Sequence, residues 1–327
     1  MAVSNNSRLK TEDSIFIPPH PLNTAVLFLV FNRLDTTEQV FEAIRQAKPP
    51  RLYVAADGAR ANKDGESEKV QAVRDYIMQN IDWECEVKTL YRDQNLGCKY
   101  AVSGAITWFF ENEEQGIILE DDCLPSQSFF WYCEELLERY KDDMNIAQIC
   151  GRLETEHLSI EHGNNDYFIT SRGFIWGWAT WASRTNSFDV DFLNKDGYLK
   201  ILKKLIFSST SFVEFLHRWK NTVLVKKQIV NSWAYPWNIY QLINKRSTVL
   251  PTKNLISNVG HGVDATHTTV GYDRQKLEEI YLPLGQSKCI DNQYTVKTIL
   301  NGESKFLFLI KLMLPSHVKS IMKRLFI

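Results

Sequence analysis

The chain has 327 residues, 44% of them hydrophobic and 24% charged, which is enough for one large domain or two smaller ones with their own cores. The formal net charge is -1 at pH 7, which excludes a general electrostatic attraction to nucleic acid, so we expect no nucleic-acid partner. Aromatic residues make up 12% of the chain, and Trp and Tyr commonly line partly wet pockets that stack flat ligands or sugar rings.

Cysteine usage and hydropathy predict a cytoplasmic protein. The six cysteines are scattered without a C-x-x-C pair, which favours free thiols over a disulfide framework or a zinc site. The first residues are polar and charged, so we expect no signal peptide. Because no run of about 18 apolar residues occurs, we also expect no transmembrane helix.

The chain begins with a polar segment and then a buried strand. Residues 1–23 end in a proline-rich stretch, and we expect them to form a flexible lead-in. Ala25–Phe31 is a continuous apolar run, which is typical of a strand buried on both faces of a parallel sheet. A helix should follow, with Asp35 or Thr36 as its N-cap.

Two further predicted strands end in polar loops. Leu52–Ala56 leads to Asp57, and Val87–Tyr91 leads to Arg92 and a turn, after which Lys99 opens the next helix. Polar groups at the carboxyl ends of parallel strands are typical of an open α/β sheet with its ligand crevice at that edge. No G-x-G-x-x-G or Walker lysine loop is present, which counts against a dinucleotide oxidoreductase or a P-loop NTPase.

The strongest chemical signal is a run of three acids after an apolar stretch. Ile117–Leu119 predicts a short buried strand, which runs into Glu120, Asp121 and Asp122 before Pro125 stops it. Adjacent carboxylates repel one another and resist burial unless a positive charge lies beside them. Hard cations such as Mn2+ or Mg2+ prefer carboxylate oxygens and leave positions open for phosphate oxygens. The pattern therefore predicts a divalent metal site.

Aromatic clusters mark the second half of the chain. Tryptophans separated by Gly and Ala cannot all face one core, so we expect some of them to stack an acceptor or a sugar ring. The candidates are Trp176, Trp178, Trp181, Trp233 and Trp237.

A strand and a polar loop follow the second aromatic cluster. Val249–Pro251 has the pattern of an edge strand, because Pro cannot donate to a sheet ladder. The Gly-rich polar loop after it contains two histidines and an acid, His261, Asp264 and His267.

With these features in this order, the chain resembles the GT-A-fold glycosyltransferases, which transfer a sugar from a nucleotide-sugar. It looks most similar to bacterial family-2-like transferases, some described as haemolytic-protein-like, and its acid triplet is similar to that of animal N-acetylglucosaminyltransferase I. The resemblance implies an α/β fold with a mostly parallel central sheet flanked by helices. It is carried by the residue pairs Asn32-Arg33 and Asp57-Gly58, Arg92 with Asn95-Leu96-Gly97, the acid triplet, the segment Trp176–Trp181, and the segment Asp264–Thr268.

The resemblance also implies roles for individual residues, with a UDP-sugar as the first donor to test and Mn2+ or Mg2+ as cofactor. Asp122 would bind the metal directly, with Asp121 at the ribose or sugar and Glu120 in support. His267 would complete the metal or diphosphate site, and Asp57 would accept a hydrogen bond from the base. The full nucleotide-sugar set would be Asn32, Arg33, Asp57, Arg92, Asn95, Lys99, Glu120 and Asp121.

The catalytic base is the point at which this chain departs from the family pattern. Transfer to an acceptor hydroxyl usually needs a general base within hydrogen-bond reach. Relatives often carry an Asp directly after the first Trp of the segment Trp233–Trp237, but this chain has Ala234. Asp264 is the substitute candidate, and Asp121 is the other residue expected to take a catalytic role.

The C-terminal end predicts contact with a membrane. Residues 305–327 contain no acid, five Lys or Arg, and many apolar residues, a pattern typical of a helix that lies in a membrane interface. A helix docked on the catalytic domain is the alternative. We therefore divide the chain into the lead-in, a catalytic domain at 24–300 and a basic amphipathic helix at 301–327. The catalytic domain has a nucleotide-sugar-binding half at 24–150 and an acceptor half at 151–300. Membrane contact through the C-terminal helix would place the protein on the inner face of the plasma membrane.

Three functions compete. The first is a metal-dependent glycosyltransferase of the hexosyltransferase class, which would act on a glycan or lipid-linked acceptor in bacterial surface polysaccharide or glycolipid synthesis. The second is a non-catalytic nucleotide-sugar-binding accessory protein, which Ala234 alone favours. The third, a nucleotidyltransferase, should carry a Gly-rich basic loop after its first strand, and the segment Asn32–Asp35 contains no Gly.

Overall fold

The computed structural model describes residues 16–153, 165–171, 173–209, 212–260 and 276–289. The helices and strands of these residues, in chain order, are β1 (Val26–Val30), α1 (Leu34–Ala47), β2 (Arg51–Ala56), α2 (Glu66–Gln79), β3 (Glu86–Tyr91), α3 (Gly97–Phe110), β4 (Gln115–Glu120), β5 (Cys123–Pro125), α4 (Ser128–Tyr140), β6 (Ile146–Cys150), β7 (Asn165–Thr170), β8 (Trp178–Trp181), α5 (Ala182–Thr185), α6 (Phe192–Lys195), α7 (Tyr198–Ser208), α8 (Phe212–Lys226), α9 (Ala234–Ile243), β9 (Ser247–Pro251), β10 (Ile256–Asn258) and β11 (Gln286–Cys289).

The described strands form one large sheet in the order β11-β7-β9-β6-β8-β4-β1-β2-β3, and β10 pairs separately with β5. β1 lies between β2 and β4 and is parallel to both, and β3 extends this parallel part beyond β2. β8 runs antiparallel between β4 and β6, so the two halves of the chain share a single sheet. The predicted fold class, α/β with a mostly parallel central sheet flanked by helices, is confirmed.

The residues of β1 explain why the core has two sides. Val26, Phe28 and Val30 pack into an apolar cluster with residues of α1 and α4, whereas Leu27 and Leu29 pack into a second cluster with residues of α3. All five strand residues are buried. Helices therefore cover both faces of the sheet here, as a strand without polar residues requires.

A third apolar cluster holds the helices that follow β8. α7 contributes Ile201, Leu202 and Leu205 to this cluster, and α8 contributes Phe215 and Trp219. None of the described helices combines the length and the apolar character needed to cross a bilayer. Residues 301–327, on which the predicted amphipathic helix falls, lie outside the described part of the chain.

Two local predictions were wrong. α1 begins directly after Arg33 without a side-chain cap, and Thr37 Oγ1 instead donates to the Arg33 carbonyl oxygen at 2.6 Å. The segment Val249–Pro251 belongs to β9, which lies between β6 and β7 rather than at the edge. Pro251 is tolerated because it occupies the last position of the strand, where its missing N–H disrupts the ladder least.

Candidate functional site

The carboxyl ends of β1, β2 and β4 meet at one edge of the sheet, and a cleft of about 710 Å³ opens there. This volume lies within the range of about 300–1,000 Å³ typical of ligand sites. The predicted residues that line the cleft are Asn32, Arg33, Asp57, Arg92, Asn95, Glu120 and Asp121. Polar and thiol residues that were not predicted but also line it are Arg60, Lys63, Asp64, Glu66, Lys69, Cys98 and Asn231.

Arg33 lies between two carboxylates of the acid triplet. Its Nη2 forms an ion pair with Asp121 and donates to Asp122 Oδ2 at 3.0 Å. Burial acts to lower the pKa of the guanidinium, but the charges and hydrogen bonds of the two carboxylates outweigh it and raise the pKa. Arg33 therefore supplies part of the positive charge that three adjacent acids require.

The triplet nevertheless remains short of positive charge. Burial raises the pKa of Glu120, and the neighbouring Asp122 and Asp121 raise it further. Burial also raises the pKa of Asp121, against the opposing effect of Arg33. Glu120 Oε1 is buried and has no hydrogen-bond partner among the described residues. One guanidinium does not neutralise this turn.

These features fit a hard divalent cation. The turn offers carboxylate oxygens, one of them unpaired, at a place with excess negative charge. Within the described ranges, no three His, Cys, Asp or Glu side chains converge on one metal position. The protein would therefore supply one or two carboxylates, and phosphate and water oxygens would complete the shell, as is usual for Mg2+.

The segment after β10 packs directly on the acid turn. Val259 N donates to the Asp122 carbonyl oxygen at 2.8 Å. A Cβ at Gly260 would lie 2.6 Å from Arg33 Nη1 and 2.6 Å from Asp122 Oδ2, so only Gly fits without displacing this pair. The chain continues from Gly260 to Asp264 and His267, which lie outside the described residues, as does His261.

Asp57 joins two loops at the wall of the cleft. Its carboxylate accepts from Gly58 N at 3.0 Å, from Leu96 N at 3.0 Å and from Gly97 N at 2.9 Å. Asn95 Nδ2 donates to the Gly58 carbonyl oxygen at 2.8 Å. Both residues thus have a positioning role that sequence reasoning missed, while their contacts with the nucleotide stay predictions.

Basic residues also line the cleft. Burial lowers the pKa of Arg92, partly offset by Asp57, and no ion pair of its guanidinium occurs among the described residues. Arg60, Lys63 and Lys69 come from the β2–α2 loop and the start of α2. These three residues could have been predicted from their position shortly after a parallel strand, because the loops at the carboxyl ends of such strands border the ligand site.

A buried carboxylate holds the β1 and β2 loops together. Glu66, the first residue of α2, is 4% exposed and accepts from Asn32 Nδ2 at 2.9 Å and from Arg60 N at 2.7 Å. It also forms an ion pair with the Arg60 side chain. This network fixes the Asn32 amide, a predicted nucleotide contact, at the edge of the cleft.

Lys99, a predicted nucleotide contact, is paired with a carboxylate outside the cleft. Lys99 is 7% exposed, its ammonium pairs with Asp191, and it does not line the cleft. Its backbone N instead donates to Asn231 Oδ1 at 3.3 Å, which ties the start of α3 to the segment before α9. A carboxylate far along the chain therefore competes successfully for this lysine.

The stacking role predicted for the tryptophans is contradicted for four of them by burial. Trp178, Trp233 and Trp237 touch a second cavity of about 360 Å³. Each is only 1% exposed, which leaves no ring face for a sugar. Trp181 is buried on the other side of the sheet, where its Nε1 donates to the Leu137 carbonyl oxygen at 3.1 Å. Trp176 is only half-buried, and the Arg152 guanidinium lies 3.6 Å from its ring centroid.

Comparison with known proteins finds similar structures but no sequence match. No protein-family model matches the chain, and no curated protein sequence matches it. The structure is similar to that of TarS 1-349 from S. aureus, at 10% identity and a TM-score of 0.37, over 72% of this chain and 60% of that chain.

Two further solved structures show similarity over about half of the chain. HddC from Yersinia pseudotuberculosis complexed with GMP-PN is 13% identical, with a TM-score of 0.34 over 53% of this chain and 87% of that chain. The apo-form glycosyltransferase GlyE in Streptococcus pneumoniae TIGR4 is 11% identical, with a TM-score of 0.31 over 53% of this chain and 39% of that chain. Because these scores are low, a functional assignment depends on the residues of this chain.

Proposed function

We propose that this chain is a glycosyltransferase that binds a nucleotide-diphosphate-sugar, in the first instance a UDP-sugar, in the cleft at the carboxyl edge of β1, β2 and β4. The observation that carries the proposal is the composition of that one cleft. It combines a buried acid turn that lacks positive charge with Arg92, Arg60 and lysines that can bind phosphate. A ligand with a polar nucleoside, two phosphates and a bound cation complements both parts.

Breaking a sugar–phosphate bond places negative charge on the leaving diphosphate. A divalent cation held by Asp122 would stabilise that charge when bound. Arg92, half-buried and without an ion pair in the described residues, is the side chain best placed to bind phosphate oxygens. Asn32 and Arg33 would flank the nucleotide, and Asp121 would hold Arg33 in place and accept from a ribose or sugar hydroxyl.

Asp264 is the proposed general base. Ala234, the position at which relatives often have Asp, opens α9 and packs against the cluster that contains Trp178 and Trp233. It does not line the cleft, so an acid there would not face the donor. Asp264 follows Gly260, which contacts the acid turn, and this proximity along the chain supports roles for Asp264 and His267.

The acceptor is proposed to be a glycan or a lipid-linked sugar in bacterial surface polysaccharide or glycolipid synthesis. Of the five candidate tryptophans, Trp176 is the one that is not fully buried, so it is proposed to take part in acceptor binding. The basic segment 305–327 is proposed to add membrane contact, since its charge complements anionic lipid.

Calorimetry with UDP and Mn2+ tests the metal and donor site. The change Asp122→Asn keeps the shape of the side chain but removes its charge, so we expect the affinity for UDP with Mn2+ to fall at least about tenfold. Asp122 reaches the cleft through its ion pair with the lining residue Arg33. Asp93→Asn, which changes an exposed acid outside the acid turn, is the matched control and should bind as the unmodified protein does.

Unchanged affinity in Asp122→Asn, with an unchanged melting temperature, would overturn the metal assignment. Incubation of the unmodified protein with Mn2+ and a panel of nucleotide-sugars then separates the functions. Glycosyl transfer or slow donor hydrolysis supports the proposal, and binding without turnover indicates an accessory protein. In a separate incubation with a nucleoside triphosphate and a sugar 1-phosphate, formation of a nucleotide-sugar with release of pyrophosphate indicates a nucleotidyltransferase.

A further inference from the structure

Helix α7 presents an unusual face to solvent. Leu199, Ile206 and Phe207 are 39%, 56% and 80% exposed, although their side chains are large and apolar. Lys200 and Lys203 are exposed on the same helix. At about 100° per residue, these five positions fall on one continuous side of the helix, opposite the positions that α7 buries in the apolar cluster it shares with α8.

The charge of this face is positive. α7 contains Lys200, Lys203 and Lys204 and no acidic residue. The nearest acid, Asp196, lies before the helix and pairs with Lys200 at 2.6 Å and with Lys204 at 3.5 Å. Along residues 196–208, one carboxylate and three ammonium groups leave a net positive charge, with exposed apolar side chains between the charges.

We propose that α7 is a lipid-contact helix that lies flat on an anionic membrane surface. Phe207, Ile206 and Leu199 would enter the boundary between headgroups and acyl chains, and the lysines would contact anionic headgroups. The helix has 11 residues, which suits a position in the interface rather than across the bilayer. This inference does not depend on the chemistry of the cleft.

Charge complementarity favours lipid over the other occupants of such a face. A second copy of this chain would bring the same three lysines against it, and the segment 305–327 contains five Lys or Arg and no acid, so both would be repelled. Apolar side chains interspersed with lysines on one helix face are also the pattern of helices that lie in a membrane interface.

The test is sedimentation of the full-length protein with vesicles of phosphatidylcholine, with and without phosphatidylglycerol, at low salt. We expect binding to the anionic vesicles, and the double change Ile206→Ser and Phe207→Ser should weaken it at least about tenfold because two apolar side chains no longer leave water. Lys203→Gln should weaken it about fivefold. Met78→Ser, which removes an apolar side chain 44% exposed on α2, is the matched control and should bind normally.

Two outcomes would overturn the inference. The first is absence of binding to anionic vesicles by the full-length protein. The second is full binding by the double variant, which would assign membrane contact to another segment. Because both side chains are exposed, the double variant should keep its melting temperature, so a loss of binding would not reflect unfolding.

Discussion

Arg33 shows how a single side chain organises the acid turn. It follows β1 directly in sequence and bridges Asp121 and Asp122 across the strand pair formed by β1 and β4. Because β1 and β4 are parallel neighbours, their carboxyl ends lie side by side, and a long basic side chain from one reaches the acids of the other. Glu120, which has no such partner in the described residues, stays protonated to a higher pH than an ordinary carboxyl group.

Glu66 gives a pH dependence with a defined sign. The hydrogen bond from the Arg60 side chain lowers the pKa of Glu66 below its ordinary value of 4.5, against the opposing effect of burial. Glu66 therefore binds fewer protons in the folded than in the unfolded state between these pKa values. Its contribution to stability is present above about pH 4.5 and is lost as the pH falls through the folded pKa.

We expect Glu66→Gln to lower the free energy of unfolding at pH 7 and to approach the unmodified protein in stability as the pH falls through the folded pKa of Glu66, which lies below 4.5. Urea unfolding at a series of pH values measures this convergence. Glu68→Gln, a change of an exposed acid in the same first turn, should show no such trend. A constant difference between Glu66→Gln and the unmodified protein across the series would contradict the assignment.

At the scale of elements, the loops after β2 and β3 act as one unit. Asp57, at the end of β2, holds the backbone N–H groups at the start of α3, and a Cβ at Gly58 would lie 2.5 Å from the Gln94 carbonyl carbon. Two loops this close need a residue without a side chain on one of them. The Asp57 carboxylate and the close approach of the two loops therefore position this wall of the cleft.

Replacing the Asp57 carboxylate should weaken this unit. In Asp57→Asn one oxygen becomes an NH2 group that faces backbone N–H donors, so we expect a loss of about 3 kcal/mol in the free energy of unfolding. Urea unfolding at pH 7 measures this loss, with Asp93→Asn as an exposed acidic control. If the free energy of unfolding falls no more in Asp57→Asn than in the control, water can replace the carboxylate as the acceptor for these backbone N–H groups.

At the scale of the whole molecule, one sheet brings both halves of the chain to the cleft. Most lining residues come from the first half, but Asn231 comes from the segment before α9, and Gly260 contacts the acid turn from β10. β8 connects the two halves by pairing with both β4 and β6. Ligand bound in the cleft should therefore stabilise the sheet as a whole.

Thermal unfolding tests this coupling. With UDP and Mn2+ at about 100 times the dissociation constant, the folded state should gain about 2.7 kcal/mol. For a chain of this length we expect a rise in melting temperature of about 4 °C. The same ligands should leave the melting temperature of Asp122→Asn almost unchanged. An equal rise in that variant would place the ligand elsewhere on the protein.

The sequence by itself determined the fold class and the place of the site. A continuous apolar run as short as Val26–Val30 favours a strand covered on both faces over a helix. Polar residues directly after several such strands meet at one edge of a parallel sheet. Because these patterns are local, the α/β layout and the cleft residues Arg33, Arg92 and Asp121 could be predicted from the sequence.

Only the tertiary structure decided strand order and the choice of partners. Nothing local distinguishes Trp178–Trp181 as a strand between β4 and β6 from a pocket loop, because two aromatic residues separated by small ones suit either. Lys99 could equally have faced a phosphate, but Asp191 lies next to it in space. The exposure of Phe207 likewise depends on which face of α7 its neighbours cover. Each of these outcomes depends on groups that are distant along the chain and close in the folded protein. Several chemically equivalent partners are available for each side chain, and the fold determines which of them lies next to it.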